Sequence, residues 1–190
     1  MSWAALQEDL VRLLQVWPVG GPAERALVQR YLAVVSGDGI SALRKGDLPY
    51  HFTASVVVLS EDLTHVLLGH HRKADAWLQF GGHLEDDDIS VEAAARREGT
   101  EESGVALTGP LLPVGLDAHL LGTGFSACRE HLDVRFATTV PAGTRPMTSE
   151  ESHEVRWFAV DDLPTPSTHE LPRLVRAAVA AVTATTDGRS

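Results

Sequence analysis

Glu98, Glu101 and Glu102 stand at positions i, i+3 and i+4 of one short segment. At about 3.6 residues per turn they occupy about 100° of the circumference of a helix. Like charges so placed repel, each pair costing a few tenths of a kcal/mol. Arg96 and Arg97 offset part of that, although cations early in a helix oppose its dipole. Spacing alone leaves two readings open. The trio is a solvated acidic face, as most charge runs are, or a set of hard oxygen ligands for a divalent cation. Carboxylate oxygens select Mg²⁺ or Mn²⁺ over thiophilic metals.

Other residues could do chemistry beside them. His70, His71, Arg72 and Lys73 form a short basic run, which could meet phosphate oxygens or be a plain surface loop. His83 follows a Gly81-Gly82 pair and could touch a ligand or water. Asp117 and His119, like His131 and Asp133, sit two residues apart in strand-like text. Residues i and i+2 of a strand share a face, so His119, His131 and Asp133 could build a polar wall for substrate or a transition metal. They could equally be hydrogen-bonded pairs inside a sheet. Trp77, Phe80 and Trp157 are candidates for stacking on a nucleobase, or for the core.

The elements that must position these groups follow from pattern. Trp3, Leu6, Leu10, Leu13, Leu14 and Trp17 recur at helical spacing until a Pro/Gly-rich break at 18–22. A second helix is predicted over 23–35. Strands are predicted over 51–59, 64–70 (a hairpin partner of the first) and 77–80, the last stopping at Gly81-Gly82. A helix follows over 90–103, with Ser90 as N-cap and Gly104 as C-cap. Further strands are expected over 113–120, 131–139 and 154–159, and a closing helix over 172–183. Strands and helices at mixed intervals indicate an α/β fold, a mixed central sheet packed between helices. Residues 1–48 are expected to be a helical extension packed on a core domain of 49–190, although a dimer arm or regulatory appendage would give the same pattern.

Composition excludes several classes. At 190 residues, 44% hydrophobic and 22% charged, the chain can bury a core. No window approaches the roughly 18 apolar residues that span a bilayer, and Met1–Ala5 lacks the basic start of a signal peptide. A net charge of −10 argues against a surface that neutralises nucleic-acid phosphates. It does not exclude a small phosphorylated ligand, because a bound cation reverses the local field. Cys128 is the single cysteine, so no internal disulfide can form, and a reducing, cytoplasmic setting is expected.

The segment from Gly82 to Val105 resembles the Nudix box: Gly, five residues, Glu, seven residues, then Arg-Glu-apolar-any-Glu-Glu-any-Gly-apolar. Gly82, Arg97, Glu98, Glu101, Glu102, Gly104 and Val105 match it. Asp88 stands in the early Glu position, and eight residues separate it from Arg97, as in a Gly-Gly-His-any-Glu branch of the family. Phe80 replaces a frequent proline. Gly99 takes an apolar position inside the helix, at about 1 kcal/mol relative to alanine. It either lets another group approach closely or loosens the helix.

The resemblance implies a Nudix-type α/β/α sandwich and hydrolysis of a phosphoanhydride bond in a nucleoside diphosphate derivative or nucleoside triphosphate, with Mg²⁺ or Mn²⁺ as cofactor. It implies that Glu98, Glu101, Glu102 and the Gly81 carbonyl hold the metal, and that Arg97, buttressed by Asp88, holds the glutamates. Glu151 is the candidate for a base or extra ligand from a later loop. Arg72, His71, His83, His119, His131 and Asp133 are the candidates for substrate contact. Many relatives dimerise, and the N-terminal helices could serve as such an interface. A non-catalytic nucleotide-sensing module is the alternative. Such modules often lose the metal carboxylates, which this chain retains. An isoprenoid-diphosphate isomerase would want a cysteine near the diphosphate, whereas Cys128 is remote from the box in sequence.

Overall fold

A computed structural model describes residues 2–121, 128–150 and 152–187. In chain order the elements are α1 (Trp3–Gln15), α2 (Pro22–Gly37), a short 3-10 turn (Gly39–Ala42), β1 (Tyr50–Ser60), β2 (His65–His71), β3 (Ala76–Leu78), β4 (Phe80–His83), α3 (Val91–Ser103), β5 (Leu112–Leu120), β6 (Glu130–Val140), β7 (Ser152–Ala159) and α4 (Leu171–Asp187). Seven strands form one sheet in the order β3-β2-β1-β6-β5, with β4 paired to β1 and β7 paired to β2. This is the mixed α/β architecture predicted from the alternation of patterns. Among the described residues, no helix is long and apolar enough to cross a membrane.

β1 and β2 pair antiparallel through Val58 with Leu67 and Leu59 with Val66, the expected hairpin. The single strand expected over 77–80 is instead two. Ala76–Leu78 pairs with β2, then the chain changes partner at Gln79, and Phe80–His83 pairs with β1. The Gly81-Gly82 pair therefore lies within a strand and does not end one.

The chain divides into two compact units. The first comprises Met1–Ala54, Gly82–Ala94 and Gly115–Arg135. Here Leu6, Leu10 and Leu14 of α1 and Val28, Tyr31 and Val35 of α2 are buried at helical spacing. The fully buried Tyr31 donates its hydroxyl to the Asp117 carbonyl at 2.8 Å and meets Phe52 edge-on at 5.3 Å. Arg30 holds both carboxylate oxygens of Glu130, at 3.0 and 2.7 Å. At the start of α3, Ser90 Oγ accepts the Ala93 N–H at 3.0 Å, the expected N-cap. Asp9 Oδ2, from α1, accepts the Val91 N–H at 2.9 Å. A carboxylate there satisfies an orphan donor and complements the helix dipole. Within this unit the N-terminal helices therefore bond directly to strand residues and to the first turn of α3.

The second unit comprises Ser55–Gly81, Ala95–Val114 and Phe136–Ser190. Leu171, Leu174, Val175 and Ala178 of α4, at i, i+3, i+4 and i+7, pack with Val57, Leu59, Val66, Leu68 and Trp77. The α3 segment is fitted closely. A Cβ on Gly99 would lie 2.5 Å from Val56 Cγ1 and 2.7 Å from Leu107 Cδ1, so close approach is why glycine stands there. Gly104, at φ +65°, closes the helix by donating its N–H to the Thr100 carbonyl at 2.9 Å. Arg96 donates to the carbonyls of Leu107 and Gly109.

Gly99→Ala has two opposed effects. Alanine gains about 1 kcal/mol of helix propensity. Overpacking against Val56 and Leu107 costs about 1–3 kcal/mol. A net loss of up to about 2 kcal/mol is expected in urea unfolding, and a rise in stability would show that α3 stands off the strand.

Candidate functional site

α3 presents Glu98, Glu101 and Glu102 as the helical spacing predicts. Glu102 is buried, 7% exposed, and its Oε2 accepts the Gly81 N–H at 2.9 Å. Arg97 Nη1 donates to Glu98 Oε1 at 2.9 Å and reaches Glu101 Oε2 at 3.5 Å. The Glu98 side chain is 15% exposed and that of Glu101 62%. One guanidinium thus ties two carboxylates together through charge-assisted bonds. Gly81, Arg97, Glu98, Glu101 and Glu102 are therefore brought together. These are hard oxygen donors beside a strand backbone, a donor set that fits Mg²⁺ or Mn²⁺.

The loop before α3 accounts for Asp88. In the first unit, Asp88 Oδ2 accepts the Glu85 N–H at 2.8 Å while the Asp88 N–H returns to the Glu85 carbonyl at 3.2 Å. The buried Asp88 closes a tight turn in the longer connection to the helix.

Outside the box, the expected contacts divide. His71 Nδ1 accepts the Ala74 N–H at 3.1 Å, and the His71 carbonyl accepts the Asp75 N–H at 2.9 Å, so His71 organises the turn on which Arg72 is exposed. Trp77 is buried against Phe158, with Arg156 over both rings. Trp157 Nε1 donates to the Thr144 carbonyl at 2.9 Å, and Phe80 is buried. The aromatic residues hold the fold. Glu151 lies outside the described residues.

In the first unit Asp117 and His119 share a face as expected, with His119 Nδ1 donating to Asp117 Oδ2 at 2.8 Å. Asp133, 3% exposed, accepts from Thr53 Oγ1 at 3.0 Å and from Arg135 Nε at 3.0 Å. Arg135 Nη2 also donates to Asp117 Oδ2 at 2.7 Å. Asp133 is thus engaged in a buried ion network with Thr53 and Arg135.

His83 and His131 are brought together, and they meet a residue absent from the sequence-based expectations. The His51 ring lies 5.0 Å from that of His83 and 4.8 Å from that of His131, centre to centre, and His119 lies 5.4 Å from His131. His51 sits in the apolar run of β1, where a lone histidine reads as a core residue; its polarity amid that run was the available signal. Burial, reinforced by the nearby His51 and His119, pushes His131 down to about 4, against the opposing pull of Asp133. Burial and Lys45 lower His51. Both rings are uncharged at neutral pH.

A folded-state value below the ordinary one of about 6.5 means that the unfolded chain takes up protons the folded chain refuses. Stability supplied by the neutral ring is therefore present above about pH 6.5 and lost as pH falls towards about 4. In metal-free protein the urea midpoint should drop between pH 7.5 and 5, and His131→Asn should flatten that drop. An equal drop in parent and variant would place the proton uptake elsewhere.

The NUDIX domain family profile matches residues 49–178. Among solved structures, the fold is shared with a MutT NUDIX hydrolase from Burkholderia pseudomallei, at 24% identity and a TM-score of 0.55, covering 70% of this chain and 98% of that one. It is also shared with the E. coli dihydroneopterin triphosphate pyrophosphohydrolase, at 16% identity and a TM-score of 0.59, covering 68% and 94%. The NUDIX domain of Shewanella oneidensis NrtR, solved in complex with ADP ribose, aligns at 16% identity and a TM-score of 0.55, covering 69% and 87%. No curated protein sequence matches the chain. The carboxylate-bearing helix behind a Gly-Gly strand is thus that of a Nudix domain. This chain belongs to the Nudix family, whose members are hydrolases that generally cleave pyrophosphate bonds in nucleotide derivatives.

Proposed function

We propose that this chain is a Mg²⁺- or Mn²⁺-dependent pyrophosphohydrolase acting on a small phosphorylated molecule, a nucleoside diphosphate derivative or nucleoside triphosphate. The observation that carries the reading is the buried Glu102, held by the Gly81 N–H on the same helix as Glu98 and Glu101, which Arg97 ties together. Glu98, Glu101, Glu102 and the Gly81 carbonyl are the groups that would hold the cation. When bound, it supplies neutralisation of the diphosphate and acidification of a water.

The residues of the chain do the rest. Arg97 fixes Glu98 and Glu101 against their mutual repulsion, so the donors are set before substrate arrives. The Gly81 N–H fixes Glu102. A carboxylate of the trio, Glu98 or Glu102, takes the proton of the water that attacks phosphorus, and one anhydride becomes two phosphate products. His71, Arg72 and Glu151 remain candidates for substrate contact and for the base.

Substrate class rests on the neighbours' own names. One is a pyrophosphohydrolase of a triphosphate and another was solved with ADP ribose, and both compounds carry phosphoanhydride bonds. The test is a screen with Mg²⁺ and Mn²⁺ over ADP-ribose, oxidised nucleoside triphosphates, nucleotide sugars and dinucleoside polyphosphates, with the nucleotide products separated by chromatography. Metal-dependent turnover of at least one compound is expected. Nucleotide binding without turnover of any would make the domain a sensor.

A further inference from the structure

Three histidines from distant parts of the sequence converge in the first unit: His51 on β1, His83 at the end of β4 and His131 on β6. One potential ligand atom from each lies within 4.8 Å of those of the other two. We propose that His51, His83 and His131 form a binding site for a borderline divalent transition metal, Zn²⁺ foremost, made of residues different from the carboxylates of α3.

His51 is the strongest argument. It is fully buried, and its Nε2 has no hydrogen-bond partner. A buried polar atom so left costs about 1–3 kcal/mol, a cost that a ligand at that nitrogen removes. Its other nitrogen is accounted for. The Cys128 thiol donates to the Glu130 carbonyl at 3.5 Å, so its sulfur is free to accept the His51 Nδ1–H at 3.3 Å. With Nδ1 carrying the proton, the lone pair is on Nε2, the arrangement by which an outer partner sets a ligating histidine.

Geometry and donor type agree. At Zn–N distances of about 2.0–2.1 Å, tetrahedral ligand nitrogens stand about 3.4 Å apart. The candidate atoms, within 4.8 Å of one another, stand wider than that, so binding would draw the three imidazoles together. Nitrogen donors favour Zn²⁺, Ni²⁺ or Cu²⁺ over Mg²⁺, whereas the glutamate trio has the reverse preference. His119 stands beside His131, with its Nδ1 donated to Asp117. This carboxylate–histidine pairing leaves Nε2 as the candidate fourth ligand.

The test uses the untagged full chain, stripped with a chelator and dialysed against Zn²⁺. Metal content is read by mass spectrometry and affinity by competition with a chromophoric chelator. About one Zn²⁺ per chain is expected, with a rise in melting temperature and, for Co²⁺, the visible absorption of a tetrahedral site. His83→Gln, at a half-buried position, and His131→Asn should each weaken binding by about a hundredfold or more and abolish the thermal shift. Glu102→Gln should keep it to within about threefold. Circular dichroism of the metal-free variants establishes that they fold. The proposal is overturned if the parent takes up no stoichiometric Zn²⁺, if folded His83→Gln and His131→Asn bind as the parent does, or if Glu102→Gln loses the ion. The last result would place zinc on the carboxylates. Hydrolysis is not the readout, so this site and the assigned activity stand or fall separately.

Discussion

Glu102→Gln should remove nearly all turnover while leaving the fold standing. The substitution is close to isosteric, and the amide oxygen of glutamine can still accept the Gly81 N–H that now meets Glu102 Oε2 at 2.9 Å. The loss is one negative charge and one anionic oxygen from a cation site. Even removing a residue that only supports a metal ligand costs about 10- to 100-fold in affinity or activity, so loss of a ligand should lower kcat/KM by about a hundredfold or more. The burial of Glu102 makes its contribution larger than that of Glu101, whose side chain is 62% exposed. Glu101→Gln should therefore be the milder variant. Steady-state kinetics at saturating Mg²⁺, beside melting curves, separate a lost site from a lost fold. Equal turnover by parent and Glu102→Gln would reject the assignment.

The largest stability effect is expected at Arg135. Its guanidinium, 8% exposed, bridges Asp117 at 2.7 Å and Asp133 at 3.0 Å. Arg135→Met keeps apolar volume but leaves two carboxylates near each other without their cation. Breaking a buried pair from one side costs about 3–5 kcal/mol. Tyr31, whose hydroxyl sits 2.8 Å from the Asp117 carbonyl and 3.3 Å from that of Asp133, cannot make up the charge. A loss of that size should appear in urea unfolding, and adding Asp117→Asn to Arg135→Met should recover part of it by removing one of the stranded charges. A loss below about 1 kcal/mol, the range of a solvated surface pair, would mean that water reaches the network.

Much of this was legible in sequence because it is local. The glutamate trio follows from helical periodicity, and Ser90 from N-cap chemistry. What was not legible depends on partners remote in the chain. Nothing in Trp77–His83 announces that pairing switches from β2 to β1 at Gln79. Gly99 left two readings open until Val56 and Leu107 were found against it. Asp133 reads equally as part of a polar wall or as a hydrogen-bonded residue inside the sheet, and Thr53, the partner that fills one of its oxygens, is far away in sequence. His51 gave only a weak signal, since a polar residue inside Val/Thr-rich text is more often a satisfied core histidine than part of a cluster.

The most direct measurement is a crystal grown or soaked with Mn²⁺ and a non-hydrolysable diphosphate, read by anomalous scattering. Density bridging the oxygens of Glu98, Glu101 and Glu102, and absent from a Glu102→Gln crystal, is the expected result. Side chains turned away from one another, with manganese elsewhere or nowhere, would contradict the catalytic assignment.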